Sequence, residues 1–437
     1  MRVFTKFAAA AATATLLSSG SALAQTEIQW WHAMGGALGE KVNEIAAGFN
    51  ATQDDYTVIP VYKGNYTETM TSAIAAFRAD EQPHIVQVFE VGTATMMAAE
   101  GAVYPVHQIM TDHDIAFDIG AYLPAVVSYY TTTEGDLLSL PFNSSTPVLW
   151  YNKDAFKLAG IDAPPKTWEE MGQASKKLQA AGLACGFSLG WQSWVLVENM
   201  SAWHNAPIGT MENGFAGLGT EFKFQENGVV PRLVAQLGEW QKDKIFDYGG
   251  RRGESLPKFT NGECGMWINS SAYYASIKEQ ASFEFGQALL PHFADDKDAP
   301  QNSIIGGATL WVLRGHDGDD YKGVAQFFKY MSLPEVQADW HQSTGYVPIT
   351  TAAWELSKEQ GFYKENPGTD TAIKQLSLNA PTPNSKGLRF GNFVQIRDII
   401  NEELEAVWSG DKSAQEALND AAERGNALLR KFEDANS

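Results

Sequence analysis

The chain has 437 residues, of which 44% are hydrophobic, and it carries a formal net charge of −20 at pH 7. So acidic a chain is a poor partner for nucleic acid or for an anionic membrane surface, because like charges repel. Its length suggests two or three domains. Halves of about 200 residues would each bury about 70% of their unfolded surface.

The first 24 residues have the pattern of a secretory signal peptide. Arg2 and Lys6 precede an apolar run, and Ala-Leu-Ala at 22–24 supplies the small residues of a cleavage site. Cleavage after Ala24 removes both basic residues and changes the net charge from −20 to −22. No later stretch has the 18 or so consecutive apolar residues of a spanning helix. We therefore expect an exported, soluble protein of the periplasm.

Strands and helices alternate in the first part of the mature chain. The predicted strands are 27–31, 57–62 and 84–90, and the predicted helices are 38–49 and 66–77. Near-continuous apolar strands joined by helices are typical of a parallel α/β sheet. Ligands of such sheets bind beyond the carboxyl ends of the strands, where Glu90 and His32 lie.

Residues 140–154, LPFNSSTPVLWYNKD, combine small polar side chains with a buried strand. Pro147 favours an extended residue before it, and the apolar run at 148–151 predicts the strand. The hydroxyls of Ser144 and Ser145 can hold a small polar ligand, because a hydroxyl both donates and accepts hydrogen bonds. An ordinary polar turn before a core strand is the alternative.

The rest of the chain predicts a second α/β unit and then helices. Apolar strands are predicted within 259–274, 285–293 and 304–313, and helices over 393–407 and 418–432. There are no solenoid repeats and no flexible linker. The absence of a linker suggests domains that are connected by more than one crossing of the chain.

The two cysteines allow a single pairing. An exported protein meets an oxidising compartment, which favours a disulfide, and Cys185 and Cys264 each lie beside predicted strands. We predict that they pair, although sequence alone does not fix the distance between them.

Catalytic and metal-binding motifs are almost absent. GFSLG at 186–190 matches the G-x-S-x-G nucleophile elbow, but the bulky WQSW that follows is unlike a tight strand-to-helix turn. A secreted hydrolase using Ser188 is therefore a remote alternative. His32, His84 and His107 lack the spacing of metal ligands. We expect no catalytic residues, no metal and no cofactor.

Tryptophan is frequent, with 13 in the chain, and Trp191 and Trp194 flank polar residues. Such rings stack on the carbon faces of sugars or polyols while polar groups fix the hydroxyls. A core or interface pair is the alternative.

Segments along the whole mature chain carry a family resemblance. They are GNYTETMTSAIAAFRA (64–79), QVFEVGTATMMA (87–98), PFNSSTPVLWYNKDAF (141–156), GWQSW (190–194), FTNGECGMWINSS (259–271), APQNSIIGGATLWV (299–312), TGYVPIT (344–350) and GLRFGNFVQIR (387–397). The chain resembles ABC-importer solute-binding proteins of the maltodextrin-binding superfamily. Within it, the chain is similar to the periplasmic sn-glycerol-3-phosphate-binding family.

The resemblance implies a type II periplasmic binding protein fold, with two discontinuous α/β domains joined by hinge segments. The N-terminal lobe would comprise 25–139 and 287–343, and the C-terminal lobe 140–286 and 344–437. The lobes would close on glycerol-3-phosphate and deliver it to a membrane permease. Glycerophosphodiesters such as glycerophosphocholine stay open as ligands, and so does a sugar for a protein of the same fold. A monomer is expected.

The family's ligand contacts fall on nine positions of this chain: Tyr66, Glu90, Ser145, Trp191, Trp194, Ser270, Gly307, Tyr346 and Arg397. The resemblance implies hydroxyl and backbone donors for the phosphate, with Arg397 as a bidentate clamp. It implies that Glu90 accepts hydrogen bonds from the glycerol hydroxyls and repels a phosphate placed there.

Overall fold

The structure, a computed structural model, describes residues 25–99 and 101–436. The expected signal peptide, residues 1–24, and its cleavage after Ala24 lie outside the described residues. Within the described ranges, none of the helices is both long enough and apolar enough to cross a membrane.

Within residues 25–99 and 101–436, ten strands form two sheets. They are β1 (Thr26–His32), β2 (Tyr56–Tyr62), β3 (Ile85–Phe89), β4 (Val103–Tyr104), β5 (Leu140–Ser145), β6 (Pro147–Asn152), β7 (Cys185–Leu189), β8 (Cys264–Ser270), β9 (Phe285–Ala288) and β10 (Gly306–Leu313). The first sheet has the order β2-β1-β3-β10-β4, with β5 also paired to β10. The second has the order β7-β8-β6-β9.

Both sheets are mixed, which corrects the expectation of a parallel sheet. In the first sheet β1 runs parallel to β2 and β3, as helical crossovers require. However, β10 is antiparallel to β3, β4 and β5. In the second sheet β7 and β8 are parallel, and β6 is antiparallel to β8 and β9. The antiparallel strands enter each sheet from distant parts of the chain, and apolar patterning does not encode that direction.

The first crossing between the lobes lies at Thr146. It separates β5, which pairs with the first sheet, from β6, which pairs with the second. The predicted boundary after residue 139 therefore assigned β5 to the wrong lobe. All six residues of β5 are buried, so the polar Asn-Ser-Ser stretch is a core strand of the first lobe.

A second predicted boundary also shifts. Strand β9 pairs with β6 of the second sheet through Ala288, so the return to the first sheet follows residue 288 and not residue 286. Residues after 344 still contact the first lobe, because Val347 N donates to Ser144 O at 2.8 Å and Leu123 N donates to Ile349 O at 2.9 Å. The remaining division of the chain into lobes stays a prediction.

Helices cover the sheets and form the end of the chain. They are α1 (Gly36–Asn50), α2 (Tyr66–Arg78), α3 (Thr93–Ala98), α4 (Val106–Asp112), α5 (Pro124–Val127), α6 (Lys153–Leu158), α7 (Trp168–Ala180), α8 (Met200–Trp203), α9 (Thr210–Asn213), α10 (Val229–Lys242), α11 (Leu256–Thr260), α12 (Tyr274–Gln280), α13 (Gly318–Met331), α14 (Pro334–Thr344), α15 (Thr351–Glu359), α16 (Phe362–Glu365), α17 (Thr371–Leu376), α18 (Phe393–Ser409) and α19 (Ala414–Asn436). A π-helical segment, Ser193–Asn199, leads into α8.

The predicted apolar stripes face the core. In α18 the buried residues include Phe393, Ile396, Ile400 and Leu404. In α19 Leu418, Ala421 and Gly425 of the predicted stripe are buried, whereas Leu428 and Phe432 are half-buried. Such a stripe stabilises each helix mainly through the apolar surface that it removes from water, at roughly 25 cal/mol per Å².

Cys185 and Cys264 form a disulfide. They are register partners on the parallel strands β7 and β8, with their Cα atoms 4.6 Å apart. The bridge therefore joins two neighbouring strands of the second sheet across 79 residues of sequence.

Candidate functional site

A cavity of about 260 Å³ lies between elements of the two sheets. All nine residues that the family resemblance selected line it: Tyr66, Glu90, Ser145, Trp191, Trp194, Ser270, Gly307, Tyr346 and Arg397. Other lining residues include Asn65, Phe89, Arg252, Tyr273, Ser276 and Gly306. The structure thus brings together positions that lie more than 300 residues apart in the chain.

Strand ends place the hydroxyls of the cavity. Ser145 ends β5 and pairs with Gly306 at the start of β10. Ser270 ends β8 opposite Pro147, and the next residue donates its N–H to Thr146 O at 3.0 Å. Ser145, Ser270 and the start of β10 therefore gather around the first crossing between the lobes.

Gly307 permits the close approach of β5 and β10. Its φ is +105°, and a Cβ at this position would lie 1.8 Å from Asn143 O. A side chain is therefore excluded both by conformation and by contact. Gly306 has a related role, because a Cβ there would lie 2.5 Å from the Trp194 ring.

Two tyrosines from distant segments meet in the cavity. Tyr66 begins α2 directly after a capping box in which Asn65 and Glu68 bond each other's backbone N–H. Its ring stacks on Phe89 at 5.3 Å, and its hydroxyl accepts from Asn143 Nδ2 at 2.8 Å. Tyr346 stacks on Trp340 at 5.6 Å. Burial raises the pKa of both tyrosine hydroxyls, so they keep their protons and can donate.

Arg397 forms a buried ion-pair triad with two carboxylates. Its Nε and Nη2 donate to the two oxygens of Glu198 at 2.7 and 2.6 Å, and Nη2 also donates to Glu90 Oε1 at 2.5 Å. The three side chains are 7% exposed or less. Since Glu90 follows β3 and Arg397 lies on α18, the triad joins the two lobes.

The triad holds two carboxylates for one guanidinium and so carries a net negative charge when all three are ionised. Burial raises the pKa of Glu90, and Glu198 adds to that effect, while Arg397 opposes it. Burial alone would lower the pKa of Arg397, but the two carboxylates raise it above its usual value. The guanidinium is therefore permanently charged and held by both acids. Its fork is not free for a phosphate, contrary to the expectation from sequence.

The two tryptophans differ in setting. Trp194 is buried, and its indole Nε1 donates to Ile305 O at 3.4 Å. Trp191 is half-buried and has a left-handed φ of +49°, which is uncommon for a bulky residue. The guanidinium of Arg252 lies over the Trp191 ring, 5.6 Å from its centroid.

The structure does not support a nucleophile at Ser188. This residue lies within β7, is fully buried and donates its hydroxyl to Asp247 O at 2.6 Å. A nucleophile elbow instead presents its serine at a turn after a strand.

One cluster outside the cavity, His84, His316 and Asp320, has the proximity of a metal site. However, His84 Nδ1 accepts from Gln29 N at 3.1 Å. In the neutral ring its Nε2 therefore carries the hydrogen, which faces Asp320 at 3.5 Å, and has no lone pair for an ion. Burial lowers the pKa of His84 to about 4, so the ring is neutral at pH 7.

Sequence reasoning missed Glu198 and Arg252. Glu198 is an acid inside the apolar run WVLVEN (194–199), and a buried acid requires a cationic partner. That placement was the available signal. Arg252 follows Arg251 in a glycine-rich segment and resembles a solvated surface residue, so no comparable signal marks it.

Two α/β lobes with a small cavity between them are typical of a solute-binding protein. The family model for bacterial extracellular solute-binding proteins matches residues 44–371, and the chain belongs to this family. A relative from Yersinia pseudotuberculosis, named sn-glycerol-3-phosphate-binding periplasmic protein UgpB, is 52% identical over 425 residues, 97% of this chain and 96% of the relative. The protein of the same name from Salmonella typhimurium is 50% identical over 424 residues, 96% of each chain.

Solved structures support the same fold. The crystal structure of UgpB from Mycobacterium tuberculosis in complex with glycerophosphocholine superposes with a TM-score of 0.76 at 18% identity, over 93% of this chain and 99% of that one. The GacH receptor of Streptomyces glaucescens superposes with a TM-score of 0.78 at 19% identity, over the same shares. The type II periplasmic binding protein fold predicted from sequence is confirmed.

Proposed function

We propose that this protein captures sn-glycerol-3-phosphate in the cleft between its lobes and delivers it to the membrane permease of an ABC importer. The observation that carries the proposal is that one cavity combines the acidic triad with several hydroxyl donors. Two of these donors, Ser145 and Ser270, lie beside Thr146. Relatives about half identical over nearly the whole chain carry that ligand in their names.

The acidic end suits the glycerol hydroxyls. Glu90 has carboxylate oxygens that accept hydrogen bonds, and its charge repels a phosphate. Arg397 Nη1 takes no part in the bonds to Glu90 and Glu198, so it can donate to a hydroxyl oxygen. In this arrangement Arg397 orients Glu90 and serves the glycerol, which revises the clamp role that the resemblance implied.

The donor end suits the phosphate. A phosphate monoester at pH 7 carries between one and two negative charges and three acceptor oxygens. Ser145 and Ser270 can each donate a hydroxyl beside Thr146, Tyr66 and Tyr346 can donate two more, and Gly307 lines the same cavity. Directional donors of this kind bind phosphate oxygens well because a charged acceptor strengthens each bond.

The size of the cavity favours a small ligand over an oligosaccharide. At about 260 Å³, it is smaller than the roughly 300–1,000 Å³ of pockets for drug-sized ligands. Trp191 and Trp194 would then cover the carbon chain of glycerol, not a sugar ring. Glycerophosphocholine fits the same scheme if its choline extends past Trp191 toward solvent.

The remaining parts of the proposal follow from this role. The mature chain would begin at Gln25 after export, act as a monomer in the periplasm, and bind its ligand without catalysing a reaction. Lobe closure would depend on the ligand, because only the closed state brings Glu90 and Ser145 together with Ser270 and Arg397.

Calorimetry of the purified mature protein tests the proposal. We expect one site per chain for glycerol-3-phosphate, and at least 100-fold weaker binding of glycerol, which lacks the phosphate. Maltose should give no heat of binding. Tight binding of maltose with none of glycerol-3-phosphate would contradict the proposal. Glu90→Gln should weaken glycerol-3-phosphate about 10-fold or more, since a neutral amide accepts hydrogen bonds from the glycerol less strongly.

A further inference from the structure

The phosphate end of the cavity needs a positive charge that Arg397 does not supply. Arg397 is shared by Glu90 and Glu198, and together the three side chains are anionic. Among the described residues that line the cavity, Arg252 is the other cation. A phosphate that loses water in a partly buried site binds weakly without such a partner.

The backbone around Arg252 is built to hold it beside the cavity. Its carbonyl oxygen accepts from Trp191 N at 3.1 Å and from Asn269 Nδ2 at 3.4 Å. Gly190 permits this approach, because a Cβ there would lie 1.8 Å from that oxygen. Asn269 also accepts from Ser270 N through its Oδ1. The loop of Arg252 is thus tied directly to the strand end that presents Ser270.

Arg252 contrasts with its neighbour. Arg251 is committed to structure, because its Nε and Nη2 donate to the two oxygens of Glu405 at 2.8 and 2.6 Å. None of the hydrogen bonds or ion pairs among residues 25–99 and 101–436 involves the guanidinium of Arg252. It lies over the Trp191 ring instead, where the π face favours a cation without consuming its N–H donors.

We infer that Arg252 is the ionic contact for the phosphate of the ligand, and that it favours monoesters over diesters. This inference rests on the proposed function and deepens it. A monoester can carry a second negative charge at pH 7, whereas a diester carries one. A cation on the phosphate therefore adds more to the binding of glycerol-3-phosphate than to that of glycerophosphocholine. The planar guanidinium can engage two phosphate oxygens at once, which a lysine cannot do.

Titration calorimetry of Arg252→Gln, Arg252→Lys and the matched control Arg251→Gln tests this inference. In Arg252→Gln, the Kd for glycerol-3-phosphate should rise about 10- to 100-fold, as expected for the loss of a hydrogen bond to a charged group. The Kd for glycerophosphocholine should rise several-fold less. Arg252→Lys should recover part of the loss. Arg251→Gln should change the melting temperature but leave both Kd values within about threefold.

Salt gives an independent readout that a purely structural role would not move. Between 50 and 500 mM NaCl the affinity of the wild type for glycerol-3-phosphate should fall more steeply than that of Arg252→Gln, because screening acts on the charge that the variant lacks. Unchanged affinity in Arg252→Gln, or an equal loss for both phosphate ligands, would overturn the inference and leave the proposed function intact. Failure of the wild type to bind either ligand would overturn both.

Discussion

The buried triad leads to a sharp prediction about stability. Arg397→Ala leaves Glu90 and Glu198 facing each other without their shared cation, and these side chains are 3% and 0% exposed. Removing one partner of a buried ion pair costs about 3–5 kcal/mol, because the remaining charge is desolvated and unpaired. At roughly 2.1 cal/mol/K of unfolding entropy per residue, the melting temperature should fall by about 3–6 °C if the mature chain unfolds as one unit.

The loss of stability in Arg397→Ala should also depend on pH. Burial already raises the pKa of Glu90, and Arg397 is the group that opposes this rise. In the variant the pKa of Glu90 should rise further. A group whose pKa is raised in the folded state contributes stability at low pH and loses it as the pH rises through that pKa. The deficit of Arg397→Ala relative to wild type should therefore shrink as the pH is lowered from 8 to 5.

Arg424→Ala is the matched control. Arg424 also bonds two carboxylates, Glu402 and Glu403, both at 2.7 Å, but its side chain is 44% exposed. Glu403 is 8% exposed but keeps its bond to Lys412, and the loss of an exposed cation costs about 0–1 kcal/mol. This variant should therefore melt within about 1 °C of wild type. Scanning calorimetry from pH 5 to pH 8 measures all three proteins. Equal melting temperatures for the two variants, with no pH dependence of the difference, would refute the buried-triad explanation.

Three further predictions concern other parts of the chain. Replacing Cys185 and Cys264 by alanine should lower the stability by about 4 kcal/mol in the chain-entropy model, and the denatured, unreduced wild type should show no free thiol on titration. Stability should fall as the pH drops from 6.5 toward 4, because burial lowers the pKa of four histidines to about 4 in the folded protein, so the unfolded chain binds more protons in this window. They are His32, His84, His204 and His341. His84→Gln should flatten the dependence of melting temperature on pH. An unchanged slope would show that His84 does not contribute to this dependence. Ser188→Ala should bind glycerol-3-phosphate within about threefold of wild type; a lost esterase activity would instead restore the hydrolase alternative.

Much of the fold was predictable because local patterns encode it. The strand and helix at the start of the chain, and the apolar stripes of α18 and α19, follow from periodicity. The lobe boundary after β5, at Thr146, was not predictable, since the polar Asn143-Ser144-Ser145 stretch resembles a turn. It becomes a buried strand only because β10 pairs with it, and β10 lies more than 160 residues away.

The candidate site, like the fold, could be predicted only in part from the sequence. Family resemblance selected nine residues, and all nine line one cavity. The resemblance did not indicate which side chains form hydrogen bonds or ion pairs with each other. Glu198 and Arg397 are separated by 199 residues, so their ion pair depends on how the π-helical segment packs against α18. The position of Arg252 beside the cavity depends on contacts of its loop with Gly190 and Asn269. Neither contact is evident from the sequence around Arg252.

The orientation of the bound ligand tests the central claim most directly. A crystal structure of the mature protein with glycerol-3-phosphate should place the phosphate oxygens within about 3.2 Å of the hydroxyls of Ser145 and Ser270. The guanidinium of Arg252 should lie beside that phosphate, and the glycerol hydroxyls should contact Glu90. A phosphate bound to Arg397, with Glu198 or Glu90 displaced from it, would contradict this arrangement. A ligand found outside the cavity would contradict the site itself.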